Sequence, residues 1–384
     1  MGGGKVAMFL MQCIFAMFAE DVGLLPPKGF QRLIEMYRGK AARFHLAAQD
    51  FFHLMDTSGH AAAIQADIRK FNGGLFHDKP VVEITEDELE LLSKAAGRDW
   101  RNVEPAIFGT LLEQALDPKE RAELGAHYTP RSYVERLVVP TIIEPLRADW
   151  EAVETEAIGL WLEGKVARAQ TAVRAFHQKL CATRVLDPAC GTGNFLYVSM
   201  KLMKELEGEV LNVLADFGDT QYALRYDRHT VSPEQFYGLE KNARAVPIAE
   251  LVVWIGYLQH FATFSAAMPS EPILKDFGTI RQQDALLVYD REELLRDDHG
   301  RPITRQDRDA KTPHPATGKP VSDRARQLPV YRYMNSRPAA WPEVDFIVVT
   351  LRSSGPARSN RALTLDTSLR SELRIQRCLK PSTL

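Results

Sequence analysis

The residues with the most chemistry to offer lie in one run, Asp187-Pro188-Ala189-Cys190-Gly191-Thr192-Gly193-Asn194-Phe195-Leu196. It follows Arg184-Val185-Leu186, a short apolar strand, and leads into a helical pattern from Asn194 to Leu206. A strand ending in a tight Gly-x-Gly turn lets the backbone approach a ligand closely. Ligands of open α/β sheets sit at such carboxyl ends of strands. Taken alone, the turn fits a plain βα connection or a nicotinamide site. The dinucleotide fingerprint needs a third glycine three residues after the second, and Leu196 stands there, so that fingerprint fails. Two acids follow at comparable places. Glu240 ends the segment Tyr237-Gly238-Leu239-Glu240, and Asp284 follows Gln282-Gln283. A carboxylate at a strand end can hold both hydroxyls of a ribose with its two oxygens. Glu240 also fits a solvated acid favoured by a helix dipole, and Asp284 an ordinary loop aspartate.

These residues need a sheet to position them. Beyond the first strand, Gln235–Leu239 reads as a second strand and Ala243–Leu258 as a second helix. Thr279–Gln282 and Asp345–Val349 read as a third and a fourth strand. Strand, Gly-rich turn, helix and strand mark a doubly wound, Rossmann-like α/β unit over 181–348. Helical material precedes it. Residues 1–80 read as a helical connector, with Phe30, Leu33, Ile34 and Tyr37 at helical spacing and Asn72-Gly73-Gly74 as the breaker. Residues 81–180 form a second helical segment, opened by Thr85 before Glu86-Asp87-Glu88 and closed by a helical hairpin over Trp150–Lys179. Asp290–Arg326 is dense in charge and proline and reads as an excursion without its own core.

Composition sets the outer limits. The 384 residues carry 48 Lys and Arg against 50 Asp and Glu, a formal net charge of −2, with 45% hydrophobic and 26% charged residues. This is an ordinary globular mix, and it excludes a histone-like polycation, a collagen and a disulfide-dense miniprotein. Cys13, Cys181, Cys190 and Cys378 form no CxxC pair and fit no zinc spacing, which points to a reducing cytoplasm and no metal. Val6–Phe18 imitates a signal-peptide core, but Gln12 interrupts it and Glu20-Asp21 follow at once. It reads as a buried helix, shorter than the ~20 apolar residues of a membrane span.

The run Asp187–Leu196 resembles the first motif of adenine-N6 DNA methyltransferases, in which the turn holds the amino-acid part of S-adenosylmethionine. The resemblance implies cofactor contacts from Asp187, Pro188, Ala189, Gly191, Gly193, Asn194 and Phe195. It implies that Glu240 takes the ribose hydroxyls and that Asp284 faces the adenine amine. Upstream, Leu124-Gly125-Ala126-His127-Tyr128-Thr129-Pro130 resembles the segment that packs beside the cofactor's methionine end, with Tyr128 and Thr129 as contacts. Thr129 before Pro130 also reads as a helix N-cap, and His127 as a capping or core histidine. The span from about Phe9 to Val348 resembles the methyltransferase part of fused restriction–modification proteins of the MmeI-like, type IIL family. Phe18-Ala19-Glu20-Asp21-Val22-Gly23 is similar to that family's helical connector. The resemblance implies double-stranded DNA as partner, no membrane, and no metal for methyl transfer.

One motif is missing. The family places Asn-Pro-Pro-Phe/Tyr after the fourth strand, where it holds a flipped adenine. Here Val349-Thr350-Leu351-Arg352-Ser353-Ser354-Gly355 follows instead. Taken as GTN-ACN-CTN-CGN-TCN-TCN and shifted by one base, these codons can spell Gly-Asn-Pro-Pro-Phe-Ile. Residues 349–384 hold seven Lys and Arg, two acids and no aromatic residue. They are expected to be an out-of-frame, disordered tail on a truncated methyltransferase without activity. A non-catalytic cofactor- or DNA-binding remnant is the alternative reading, and a methyltransferase for RNA or protein a third.

Overall fold

A computed structural model describes residues 3–71, 75–77, 81–105, 107, 109, 129–220, 222, 230–264, 277–306, 311–313, 320–322 and 327–348. Residues 1–282 and 342–349 form one compact unit, and 283–341 belong to a second. The expected tail, 349–384, lies outside the described residues.

The first unit opens with helices α1 (Gly3–Asp21), α2 (Gly29–Met36) and α3 (Ala41–Thr57). The apolar run of α1 is a buried helix. Gln12 is fully enclosed within it, and its side-chain amide donates to the Leu75 carbonyl at 3.0 Å. Among the described residues no helix is long and apolar enough to cross a membrane. A cluster of rings fills this region, with Phe15 against Phe71 at 5.6 Å and Phe30 against Phe51 at 5.4 Å. Each such ring removes a large apolar area from water. The expectation of helix throughout 5–80 needs correction. Ser58, with φ of 67°, and Gly59 end α3, and the chain turns through Gln65, with φ of 51°. The result is an antiparallel hairpin of β1 (Gly59–Ala61) and β2 (Ala66–Ile68).

Helix α4 (Glu86–Ala96) begins with the anticipated capping box, in which Thr85 and Glu88 each satisfy the other's backbone N–H. Glu86 accepts from the N–H groups of Gly39 and Ala41, which ties α4 to the start of α3. Helix α5 (Arg131–Val138) passes through a wider π-type turn at Val139–Ile143 into α6 (Glu144–Leu162). Pro140 lies in that turn, and its missing N–H accounts for the broken ladder. Gly164, with φ of 77°, closes the helical hairpin onto α7 (Val166–Ala182). Trp150 packs on Phe176 at 5.2 Å inside it.

Four parallel strands follow: β3 (Val185–Asp187), β4 (Phe236–Glu240), β5 (Ile280–Gln282) and β14 (Phe346–Ile347). They run in the order β14-β3-β4-β5, with Leu186 opposite Tyr237 on one side and Ile347 on the other. All four stand where the sequence pattern puts them. Helices α8 (Asn194–Asp216) and α9 (Val246–Phe264) pack with them, each extending beyond its expected C-terminal end. Val185 and Leu186 are wholly buried, as strands covered on both faces must be. This is the doubly wound α/β architecture, preceded by helices.

The second unit is made of short antiparallel ladders. They pair β6 (Leu287–Val288) with β13 (Arg337–Pro338), β7 (Arg291–Leu294) with β12 (Tyr331–Met334), β8 (Thr304–Gln306) with β11 (Gln327–Pro329), and β9 (Lys311–Pro313) with β10 (Pro320–Ser322). None of its described residues for which burial is assigned is fully buried, in keeping with an excursion lacking a core.

Candidate functional site at the carboxyl ends of β3 and β4

Strand β3 delivers Asp187 and then breaks. The Asp187 carboxylate is buried and accepts from the Ala189 N–H at 3.0 Å. Burial pushes its pKa up to about 7, with the Ala189 bond opposing and the charge of Glu240 adding to the rise. Pro188 is buried and Ala189 exposed. The turn is stitched to the next strand, because the Cys190 N–H donates to the Leu239 carbonyl at 3.1 Å.

The two glycines do different work. Gly193, with φ of 81°, is the residue before α8, and a Cβ there would lie 3.0 Å from the Ala249 backbone of α9. It allows two helices to approach. Gly191, with φ of 54°, has no atom of the described residues within 4 Å of the place a Cβ would take, its chain neighbours aside, and so faces an opening among them. That opening lies beside Glu240 at the end of β4. One Glu240 oxygen accepts from the Gly191 N–H at 2.9 Å and the other from the Asn242 N–H at 2.7 Å. The two bonds fix the carboxylate plane while each oxygen keeps further accepting capacity. A left-handed glycine with free space above it, beside a pre-oriented carboxylate at adjacent strand ends, fits a ligand carrying a ribose-like pair of hydroxyls.

Asn194 opens α8, and its side-chain amide donates to the Thr129 carbonyl at 2.8 Å. The structure corrects the N-cap reading of Thr129. Pro130 itself takes the cap position, with φ of −55° and ψ of 143°, and the helix starts at Arg131. Thr129 therefore meets the turn through its backbone, 65 residues upstream of Asn194. Tyr128 and His127 lie outside the described residues. Phe195 is buried. Asp284 opens the second unit, where its carboxylate accepts from the N–H groups of Leu286 at 2.8 Å and Leu287 at 3.3 Å. At the far side of β3, the Val348 N–H donates to the Leu186 carbonyl at 2.9 Å, so β14 ends beside the same turn. The position expected for the catalytic motif, Val349–Ser353, lies outside the described residues.

Two contacts had no local signature in the sequence. A Cβ at Gly238 would come within 2.7 Å of Cys190 Sγ, so the small residue in β4 makes room for the cysteine of the turn. The Asn194–Thr129 bond joins two segments whose proximity only the fold supplies.

Comparison with known proteins agrees with this architecture. Residues 163–347 match the family model described as the MmeI DNA-methyltransferase domain, and residues 4–76 match the MmeI helicase spacer domain. The chain is 24% identical over 301 residues to DNA methyltransferase A of Bacillus subtilis (strain 168), covering 73% of this chain and 31% of that protein. It is also 24% identical over 301 residues to a putative type II restriction enzyme and methyltransferase of Methanocaldococcus jannaschii, covering 67% and 25%. The chain thus spans about a third or less of these relatives. Among solved structures it is similar to the type IIL restriction–modification enzyme MmeI in complex with DNA, with a TM-score of 0.59 and 24% identity, over 73% of this chain and 37% of that one. The fold is shared, and with its spacer and methyltransferase regions both matched, the chain belongs to the MmeI-like family.

Proposed function

We propose that this chain carries the spacer and the cofactor-binding part of a site-specific DNA adenine-N6 methyltransferase of a restriction–modification system. The observation that supports this best is the Glu240 carboxylate, bonded to Gly191 and Asn242 beside the open face of the turn. S-adenosylmethionine is the proposed cofactor, and when bound it supplies a methyl group on a sulfonium. Glu240 holds the ribose hydroxyls. The backbone from Asp187 to Asn194, with Phe195 packed beneath, holds the amino-acid end, with Tyr128 and Thr129 beside it. The family pattern assigns the adenine amine to Asp284. Double-stranded DNA is the proposed substrate, the target adenine being flipped from the stack. Transfer is in line and needs no metal, so positioning supplies most of the rate.

A second reading rests on Val349–Gly355, which contains no Asn-Pro-Pro. This chain then binds S-adenosylmethionine without using it. Calorimetric titration with S-adenosylmethionine and tritium transfer to duplex DNA test both readings. Saturable binding that weakens at least tenfold in Glu240→Ala, without tritium transfer, is expected. Restoring the frame after Val348 in an extended gene is expected to switch transfer on. No binding would overturn the cofactor assignment, and transfer by the unaltered chain would overturn its inactivity.

A further inference from the structure

About 20 Å along α8 from Asn194, at ~1.5 Å per residue, lies a cluster that the cofactor site does not use. His177 and Cys181 are four residues apart on α7 and share one face of it. Both converge on Glu207 of α8. His177 Nε2 is 3.1 Å from Glu207 Oε1, Cys181 Sγ is 3.5 Å from His177 Nε2, and Cys181 Sγ is 3.7 Å from Glu207 Oε1. Two metal–ligand bonds of about 2.0–2.3 Å at a tetrahedral angle span roughly 3.3–3.6 Å. The three atoms thus form a triangle of the right size for one small ion.

The surroundings support the three groups as ligands. His177 Nδ1 lies 3.1 Å from the Tyr222 hydroxyl, which can orient the ring as an outer partner does. Glu207 Oε1 accepts from the Val231 N–H at 2.9 Å. The Lys204 ammonium donates to the other carboxylate oxygen, Oε2, at 3.0 Å, and Thr230 donates to the same oxygen at 3.1 Å. Lys204 therefore anchors the carboxylate from outside the triangle. The donor set of one nitrogen, one sulfur and one oxygen suits a borderline-soft ion such as Zn²⁺ or Co²⁺ and is wrong for Ca²⁺ or Mg²⁺.

We propose that His177, Cys181 and Glu207 form a three-ligand site for a zinc-class divalent ion that clips α7 to α8. It is independent of the methyl-transfer chemistry and of the reading of the cofactor site. On binding, the Cys181 S–H bond breaks, a metal–sulfur bond forms and one proton leaves to solvent. The imidazole carries its single proton on Nδ1, toward Tyr222, in the metal-bound form, having shifted it from the Nε2 that otherwise donates to Glu207, and nothing is oxidised or reduced. Three protein ligands leave one position for water.

The test is a titration of the full chain, stripped with chelator, with Co²⁺ and then with Zn²⁺. Expected are one equivalent of Co²⁺ bound, a near-ultraviolet thiolate-to-cobalt band with the visible bands of a four-coordinate ion, release of one proton, and a raised melting temperature. Zn²⁺ should bleach the bands. Cys181→Ser should abolish the thiolate band, and Cys13→Ala should keep it. No thiolate band and no melting shift at tenfold excess of either ion would overturn the proposal without any variant having to fold. A thiolate band that survives Cys181→Ser would overturn it equally.

Discussion

The turn after β3 and the polar cluster midway along α8 each bury a carboxylate, Asp187 in one and Glu207 in the other, and treat it in opposite ways. Asp187 has one backbone donor at 3.0 Å and a second acid, Glu240, nearby, and burial pushes its pKa up to about 7. Burial also pushes Glu207 up, but hydrogen bonds from His177 and Lys204 and the charge of Lys204 outweigh it, and Glu207 is held well below the usual carboxylate range. The same chemical group thus costs stability at the turn and supplies it in the cluster. The difference lies in the number of donors, not in depth. The turn leaves polar capacity of its carboxylate unspent, whereas the cluster on α8 surrounds its carboxylate with donors from within the chain.

The contrast can be broken most directly at Glu207. In chelator-treated protein, Glu207→Leu takes the carboxylate away from the buried Lys204 ammonium and should cost about 3–5 kcal/mol in urea denaturation. A loss under ~1 kcal/mol would show that the cluster does not hold the fold. The glycines come next. Gly193→Ala combines a left-handed backbone, about 1–2 kcal/mol, with crowding against Ala249, about 1–3 kcal/mol. Gly191→Ala should lose only the first of these while weakening S-adenosylmethionine binding more than tenfold. Equal losses of stability in the two variants would remove the distinction drawn between them.

Asp187→Asn tests the other carboxylate by its pH dependence. With a folded pKa near 7 against an ordinary 3.8, the folded state binds the proton more tightly than the unfolded chain. Stability from this group is therefore full below pH 3.8, declines between 3.8 and 7, and stays at its reduced level above. The variant should gain on the parent across that window, on the order of 4 kcal/mol in full, with roughly 2–3 kcal/mol of it appearing between melts at pH 5 and pH 8. A difference that does not change with pH would sink the assignment. The smallest effect belongs to the second unit. Tyr333→Ala removes a ring 4.6 Å from that of Tyr289, on a surface with no buried residue among those described, and should cost about 0.5–1.5 kcal/mol.

The turn and its strands were legible because their signals are local. Asp187–Gly193 and the four apolar strand segments each declare themselves within ten residues, and Thr85 with Glu88 announces a helix start in four. Other features depend on distance. His177 and Glu207 are 30 residues apart, and only the His-Cys spacing on one helix hinted at the cluster. The hairpin at Gly59–Ile68 was hidden by apolar residues on both sides, and its signal was the Ser58-Gly59 break. The ladders of 287–338 are only two to four residues long and carry proline and charge, so neither period nor propensity marks them. Thr129 misled because a Thr-Pro pair is a good helix start by rule, while its backbone carbonyl was needed by Asn194.

The Arg184 N–H donates to the Asp345 carboxylate across 161 residues of chain, where β14 joins β3. On a ribosome adding ~5–20 residues per second, that interval lasts on the order of 10–30 s. Throughout it, β3 emerges and can pair with β4, but its other edge has no strand to meet. A growing chain with an apolar strand edge waiting that long is a natural client for chaperones. Its assembly in the cell is thus governed by the order of synthesis as much as by the final contacts.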